Sequence, residues 1–272
     1  MLKFLKNWTL PLAMFAGAIG YFLLANVTIL EPAKPFVNWL IAVLTPFLIF
    51  AQLLLTFCKI EPKELLPKAW HVWLLSIQAV SSGIIALLLI FCPMEEAYRD
   101  IFEGAMVCLI CPTATAAAVI TGKLGGSAST LTTYTLLSNV LAAIAVPLVF
   151  PLVEPHADIT FVVAFLKILS KVFPLLLAPF FIALLFRYYI PSVHRLLSKY
   201  HGVAFYLWAV ALTIVTGQTV RSLVTAAADV SIEIMIALAG LATCCLQFYF
   251  GKRIGSAYHD RISAGQALGQ KN

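Results

Sequence analysis

Long apolar segments separated by short polar loops make up most of the chain. An α-helix needs roughly 20 apolar residues to cross a hydrocarbon core about 30 Å thick, and the segments are of about that length. The pattern predicts eight full crossings and the start of a ninth. The fourth crossing starts near Ile101 and is interrupted at Pro112. The other seven have approximate bounds at 8–30, 36–58, 70–92, 129–153, 172–189, 203–220 and 232–250.

The stretch before the sixth crossing has a different pattern. Lys167 and Lys171 lie four residues apart, so they share one face of a helix whose other positions are mostly apolar. A helix of this kind suits the boundary between lipid and water. The pattern predicts an interfacial helix over 159–170 that leads into the crossing at 172–189.

The composition places the whole chain in a membrane. Of its 272 residues, 62% are hydrophobic and 11% are charged, and the mean hydropathy is +0.97. A soluble domain carries about 25% charged residues to keep its surface hydrated, so the surface of this chain must face lipid. We expect one all-α transmembrane domain over residues 1–272. The net charge of +6 comes from basic residues placed singly beside apolar segments, which argues against nucleic acid as a partner.

The distribution of lysine and arginine orients the chain. If the N-terminus is in the cytoplasm and the crossings alternate, twelve of these residues fall inside and three outside, or five with Lys167 and Lys171. Cytoplasmic loops carry the excess of positive charge in membrane proteins, so the N-terminus is predicted to be cytoplasmic. The first apolar segment runs to about Leu30 without a clear cleavage site, which favours an uncleaved crossing. We expect a multi-pass protein of the bacterial inner (plasma) membrane.

The fourth crossing carries the strongest functional signal. Pro112, within Cys111-Pro112-Thr113, removes a backbone donor and clashes with the preceding turn. Non-helical backbone at membrane depth survives only against protein or a water-filled cavity. Thr113 and Thr115 would satisfy some of the freed groups, and the two half-helix ends present opposite partial charges to ions or substrates. A simple proline kink is the alternative.

Polar side chains in neighbouring crossings are candidates for the same cavity. Ser138 and Asn139 lie near the middle of the fifth crossing, and Gln78 lies midway along the third. A buried amide is costly in hydrocarbon unless it is paired. Asn139 therefore either lines a cavity or joins two helices through a hydrogen bond. A lone amide such as Gln78 is more often a helix-joining group than a ligand.

Catalysis has little support in the sequence. It contains no nucleophile triad, no HExxH zinc pattern, no phosphate-binding loop and no paired catalytic carboxylates. The six cysteines lie inside or at the ends of apolar segments without metal-ligand spacing, as expected of free thiols. We therefore expect no enzymatic activity and no bound cofactor.

Two parts of the chain resemble the bile acid:sodium symporter family. The first reads Cys-Pro-Thr-Ala-Thr-Ala-Ala-Ala-Val-Ile-Thr at 111–121 and Thr-Thr-Tyr-Thr-Leu-Leu-Ser-Asn at 132–139. The second reads Gly-Gln-Ala-Leu-Gly-Gln-Lys-Asn at 265–272. The corresponding unwound helices of the family read Cys-Pro-Gly-Gly-Thr-Ala-Ser-Asn and Glu-x-Gly-Met-Gln-Asn.

The resemblance implies a fold of ten helices in two inverted five-helix repeats. A core moves against a panel, and two broken helices cross within the core. Here the crossover segments would lie near 111–118 and 265–272. The implied panel-like helices are at 1–58 and 159–222, and the implied core-like helices are at 69–154 and 230–272.

The resemblance also assigns site residues. Gln78 matches a glutamine that ligates sodium in the family, and Thr135 matches a threonine of the other sodium site. Gln266 or Ala267, depending on the alignment, stands at the family's shared glutamate. The candidates for ion binding are Gln78, Thr135, Gln266 and Gln270. The candidates for the substrate or the crossover are Pro112, Thr113, Thr115, Ser138, Asn139 and Asn272.

Two alanines weaken the case for sodium. Ala117 and Ala118 stand where the family's Ser-Asn pair supplies sodium oxygens. A hard cation needs oxygen ligands and compensating negative charge, and alanine side chains provide neither. Sodium is therefore retained only as a candidate coupling ion.

The predicted function is secondary active transport of an organic anion by alternating access. The expected partners are a small organic anion, such as a steroid acid, a keto acid or another carboxylate, and the lipid bilayer. The alternative is a transport-deficient membrane sensor or scaffold that retains the fold, which the two alanines favour. Family members continue through a tenth helix, so we expect a chain that stops at Asn272 to be truncated.

Overall fold

The protein is built of helices. The computed structural model describes residues 8–59, 66–114, 116–155, 159–200, 203–225 and 230–271, without the side chains of residues 30 and 119. Within these ranges the regular elements are helical, apart from one isolated bridge between Thr113 and Lys271. The predicted all-α class is confirmed.

The chain forms eleven α-helices and a short 3-10 helix within the described ranges. The 3-10 helix covers Thr28–Ala33. The α-helices are α1 (Thr9–Asn26), α2 (Lys34–Lys59), α3 (Ala69–Phe91), α4 (Glu96–Ile110), α5 (Ala117–Lys123), α6 (Ala128–Val153), α7 (Phe161–Tyr189), α8 (Pro191–Lys199), α9 (Val203–Thr225), α10 (Val230–Ala257) and α11 (Arg261–Gly269).

Seven of the described helices are long and apolar enough to cross a membrane. These are α1, α2, α3, α6, α7, α9 and α10. Each corresponds to a predicted crossing, and the closest agreement is for α3 and α6, whose bounds differ from the predicted ones by one residue. The fourth predicted crossing is divided between α4 and α5. The count of eight full crossings and the inverted repeats stay predictions.

The prediction of a separate interfacial helix is wrong. α7 is one continuous helix of 29 residues that includes Pro174 and Pro179. Lys167 and Lys171 are exposed on its surface. A lysine stem can lie along apolar surface while its ammonium reaches the lipid–water boundary. Two basic residues on one face therefore do not require the helix to end between them.

The helices pack in two groups. One group contains α1, α2, α7, α8 and α9, and the other contains α3, α4, α5, α6, α10 and α11. The most extensive packing between the groups is that of α6 against α7. The predicted panel-like and core-like helices have boundaries similar to those of these two groups. Panel and core are defined by their movement relative to each other, so that division stays a prediction.

A glycine allows the closest helix contact in the first group. A Cβ added to Gly17 on α1 would lie 2.2 Å from the carbonyl oxygen of Thr213 on α9, and Gly217 is also within van der Waals contact. Only glycine fits such an approach without moving one helix. The contact joins the first and last described helices of the group.

A second glycine contact sets the position of α11. α10 and α11 form a tight antiparallel hairpin, and a Cβ on Gly251 would lie 2.6 Å from the carbonyl oxygen of Ala264. Asp260 in the turn forms a 2.7 Å ion pair with Lys68, which precedes α3. These contacts direct the end of α11 towards the broken helix formed by α4 and α5.

Candidate functional site at the helix crossover

The fourth crossing is broken, as the proline predicted. α4 ends at Ile110, and Cys111 has an extended backbone (φ −52°, ψ 139°). α5 begins at Ala117. Pro112 is buried in the gap. A simple proline kink keeps one continuous helix, so the break excludes that alternative. Thr115, a predicted site residue, lies outside the described residues.

The break faces the end of α11. Thr113 and Lys271 form an antiparallel bridge. The Ala114 amide donates to the Gln270 carbonyl at 3.0 Å, and the Thr113 hydroxyl donates to the Ala267 carbonyl at 2.7 Å. Backbone groups freed by the break are thus satisfied by a second non-helical segment. The two segments implied by the resemblance are in direct contact, although Asn272 lies outside the described residues.

Gln78 joins three elements beside the break. Its Nε2 donates to the carbonyls of Ile110 at 2.9 Å and Cys111 at 3.1 Å, the last turn of α4. Its Oε1 accepts from the hydroxyls of Tyr134 at 3.1 Å and Ser138 at 3.2 Å on α6. All four contacts are with protein groups, in agreement with a helix-joining role. A sodium-ligating role for Gln78 stays a prediction.

Ser138 and Asn139 differ in their hydrogen bonding. Ser138 connects α6 to the break, because the Thr113 amide donates to its hydroxyl at 3.3 Å. Asn139 is fully buried, and neither its Oδ1 nor its Nδ2 has a hydrogen-bond partner among the described residues. Among the described residues, Asn139 forms no side-chain hydrogen bond to a second helix. Helix joining and cavity lining both stay predictions for this residue.

The surroundings of the predicted sodium positions are apolar. Ala117 and Ala118 are buried in a cluster with Trp70, Leu131 and other apolar side chains. The Thr135 hydroxyl donates to the Leu131 carbonyl at 3.0 Å, the usual bond of a threonine to the preceding helical turn. The two alanine side chains provide neither the oxygens nor the negative charge that a hard cation requires, whereas the Thr135 hydroxyl keeps its lone pairs.

The end of α11 contains several buried polar atoms without partners. The Oε1 atoms of Gln266 and Gln270 and the Nζ of Lys271 have no hydrogen-bond partner among the described residues. Gln266 and Gln270 lie one helical turn apart, since the Gln270 amide donates to the Gln266 carbonyl. Buried polar groups in folded proteins are nearly always paired. A group of unpaired atoms at the crossover is therefore a candidate binding surface.

Sequence reasoning missed two residues of the site. Tyr134 is fully buried and bonds to Gln78, and it is part of the Thr-Thr-Tyr-Thr stretch that carried the resemblance. Lys271 lies between the two predicted residues Gln270 and Asn272. A tyrosine in an apolar segment is typical of a packing residue, and a lysine in a polar segment is typical of a solvated charge. Neither residue type therefore indicated a site position.

The charges around the α10–α11 turn fix the hairpin rather than the crossover. Burial raises the pKa of Asp260, but hydrogen bonds from Lys68 and Ser263 and the Lys68 charge outweigh it, so the pKa lies below its ordinary value of 3.8. Asp260 is therefore ionised at neutral pH. Its ion pair ties the start of α3 to the turn that leads into α11.

One protein-family model matches most of the chain. The family model described as Sodium Bile acid symporter family matches residues 3–226. No curated protein matches the chain. The matched range includes Gln78, the break at Pro112 and the α6 polar residues, and it ends before α10 and α11.

Proposed function

The chain belongs to the sodium bile acid symporter family, and we propose that it carries an organic anion across the membrane as a secondary transporter. Transport would proceed by alternating access, with the group of α3 to α6, α10 and α11 moving against the group of α1, α2 and α7 to α9. The proposed location is the bacterial inner membrane, with a cytoplasmic N-terminus. The expected partners are the lipid bilayer and a small organic anion.

The observation that carries this proposal is the pairing of two non-helical segments at the Thr113–Lys271 bridge. Broken helices that face each other are the usual substrate sites of secondary transporters, because helix ends and free backbone groups bind ions and charged substrates. The buried polar groups of Asn139, Gln266 and Gln270 without partners add ligand-binding capacity at the same place.

Sodium fits the described residues poorly. Ala117 and Ala118 provide no side-chain oxygen, and the Gln78 oxygen already accepts two hydrogen bonds. Ala267, one of the two residues aligned with the family's glutamate, is fully buried and apolar. We therefore infer that organic-anion binding is retained while sodium coupling of the family type is not.

Ligand-induced stabilisation of the purified protein tests the proposal. A ligand that binds only the folded state raises the melting temperature, by an amount that grows with concentration above Kd. Cholate and pyruvate represent the steroid-acid and keto-acid classes, each assayed in sodium chloride and in sodium-free choline chloride. We expect at least one anion to stabilise the protein in both salts. Uptake of that anion into proteoliposomes then distinguishes transport from binding alone.

The second candidate is a transport-deficient sensor or scaffold. The apolar packing of Ala117 and Ala118 favours it, because these are the positions at which a coupling ion would be bound. An anion that stabilises the protein without uptake into proteoliposomes would support this candidate. Lack of stabilisation by either anion in either salt would contradict the proposal of organic-anion binding for both classes.

A further inference from the structure

A lysine side chain whose Nζ has no described partner lies at the crossover. The Nζ atom of Lys271 is shielded from solvent, and among the described residues it has neither a hydrogen-bond partner nor an ion pair. Its backbone is held opposite Thr113 by the antiparallel bridge. The backbone of Lys271 is therefore held at the break.

An unpaired buried ammonium is costly because it loses its hydration without gaining a counter-charge. The ionisable side chain that interacts with Lys271 is the thiol of Cys111, at the end of α4. None of the described carboxylates pairs with it: Glu31, Glu103 and Asp260 form the described ion pairs, with other basic residues. Among the described residues no carboxylate offsets this cost, so the neutral amine is favoured until an anion binds beside it and restores the ammonium.

The nearby helix end does not neutralise the charge. The C-terminus of α4 carries partial negative charge that favours a cation, but the carbonyls of Ile110 and Cys111 already accept from Gln78. The Cys108 carbonyl accepts from Gln247 at 3.4 Å. Among the described residues, Lys271 Nζ forms no hydrogen bond to these carbonyls.

A second donor without a partner occurs on α6. The Nδ2 of Asn139 is buried and unpaired, and its neighbour Ser138 accepts from the Thr113 amide. A carboxylate or sulfonate takes an ammonium and an amide donor together, because its oxygens accept several hydrogen bonds. The charge at the crossover is therefore suited to an anion and unsuited to a second cation.

We propose that the Lys271 ammonium binds the anionic group of the substrate and supplies, as part of the chain, the positive charge that a sodium ion would otherwise bring. This inference rests on the proposed function. It accounts together for the unpaired ammonium, for Ala117 and Ala118 in place of oxygen ligands, and for the lack of a carboxylate at Ala267. A tethered cation needs none of the ligands that sodium needs.

The test measures anion binding to the whole chain in sodium-free choline chloride and, in parallel, in sodium chloride. The variants are K271Q and, as a matched control, K171Q, which removes the charge of an exposed lysine on α7. The ligands are cholate and pyruvate, each compared with its uncharged methyl ester. Kd is obtained from the dependence of the melting temperature on ligand concentration.

We expect the wild type and K171Q to bind an acid in preference to its ester, and K271Q to lose this preference. Loss of one partner of a buried charge pair should raise Kd for the acid by about 30-fold or more. Unliganded K271Q should be at least as stable as the wild type, because the substitution removes a buried Nζ that has no partner among the described residues. This readout also shows that the variant folds.

Three outcomes overturn the inference. If K271Q binds the acid as tightly as the wild type, Lys271 does not bind the anion, although the proposed function survives. If the wild type binds the acid only when sodium is present, the tethered charge does not replace the ion. If no acid binds the wild type in either salt, the inference and the proposed function fail together for these two classes of anion.

Discussion

Replacement of Gln78 by alanine tests whether its hydrogen bonds hold the broken helix in place. The amide makes four buried contacts, two with the last carbonyls of α4 and two with hydroxyls of α6. Q78A removes all four and leaves their partners buried without replacement. Water cannot take over such bonds in a dry interior, so the loss should appear as lower stability.

The magnitude follows from the number of contacts. A hydrogen bond between helices in a membrane protein contributes about 0.6 kcal/mol on average, and a typical intramolecular bond contributes about 1 kcal/mol. Four bonds therefore give about 2–4 kcal/mol. For a chain of this size, 1 kcal/mol corresponds to about 2–4 °C in melting temperature, so Q78A should melt at least about 4 °C below the wild type.

A thiol-reactive fluorescent dye provides the assay in detergent. Cys58 is buried and becomes labelled on unfolding, whereas Cys92 and Cys245 are exposed and give a constant background. The matched control is Q218A, since Gln218 is exposed on α9. The reasoning is refuted if Q78A melts within 1 °C of Q218A.

A double-mutant cycle then assigns the loss to specific bonds. Y134F removes the hydroxyl that donates to the Gln78 oxygen. The destabilisation of Q78A/Y134F should be smaller than the sum of the two single losses, because both substitutions delete the same bond. Strict additivity would show that Tyr134 and Gln78 stabilise the fold independently.

Two further substitutions test the packing and the charge pair. G17A should destabilise the protein by about 1–3 kcal/mol, because its Cβ would lie 2.2 Å from the Thr213 carbonyl oxygen. The control G20A should have little effect, because nothing lies within 4 Å of the added Cβ. Equal melting temperatures of G17A and G20A would contradict the close contact. Asp260 has a folded-state pKa below 3.8, so its pair with Lys68 stabilises the fold above about pH 4 and loses its effect as the pH falls through the folded-state pKa. D260N should be less stable than the wild type at pH 6 by up to about 1 kcal/mol, the upper value for a partly exposed pair, and should melt below it. The two melting temperatures should converge as the pH falls below about 4 through the folded-state pKa of Asp260; a difference that does not narrow would argue for another cause.

The crossings could be predicted from the sequence because their length and polarity are dictated by the bilayer. α3 and α6 match their predicted bounds closely, since each is an apolar segment ended by proline or polar residues. The helix end predicted near residue 170 is wrong, because two lysines on one face are typical of an interfacial helix. α7 continues through both lysines, since their stems can extend along the helix surface to the lipid–water boundary. Sequence patterns locate apolar segments well and the ends of half-polar helices poorly.

The break in the fourth crossing could also be predicted from the sequence, but the hydrogen-bond partners of the freed groups could not. Proline next to small and hydroxylated residues is a local signal, and α4 and α5 are separate helices as that signal implied. Which residue satisfies which freed group depends on contacts between distant parts of the chain. The bond from Tyr134 to Gln78 spans 56 positions, and the bond from Thr113 to Ala267 spans 154. No periodicity within a single helix carries this information.

The charge balance of the crossover links its separate departures from the family pattern. A sodium site needs negative charge and oxygen ligands, and an unpaired ammonium beside it would repel the ion. Ala117 and Ala118 offer no side-chain oxygen to a cation, and the Nζ of Lys271 has no partner among the described residues. If Lys271 alone had been gained, retained sodium ligands would place two positive charges in one low-dielectric site. Under the proposal made above, the alanines and the lysine complement each other, because a lysine that supplies one positive charge to an organic anion needs no oxygen ligands for sodium.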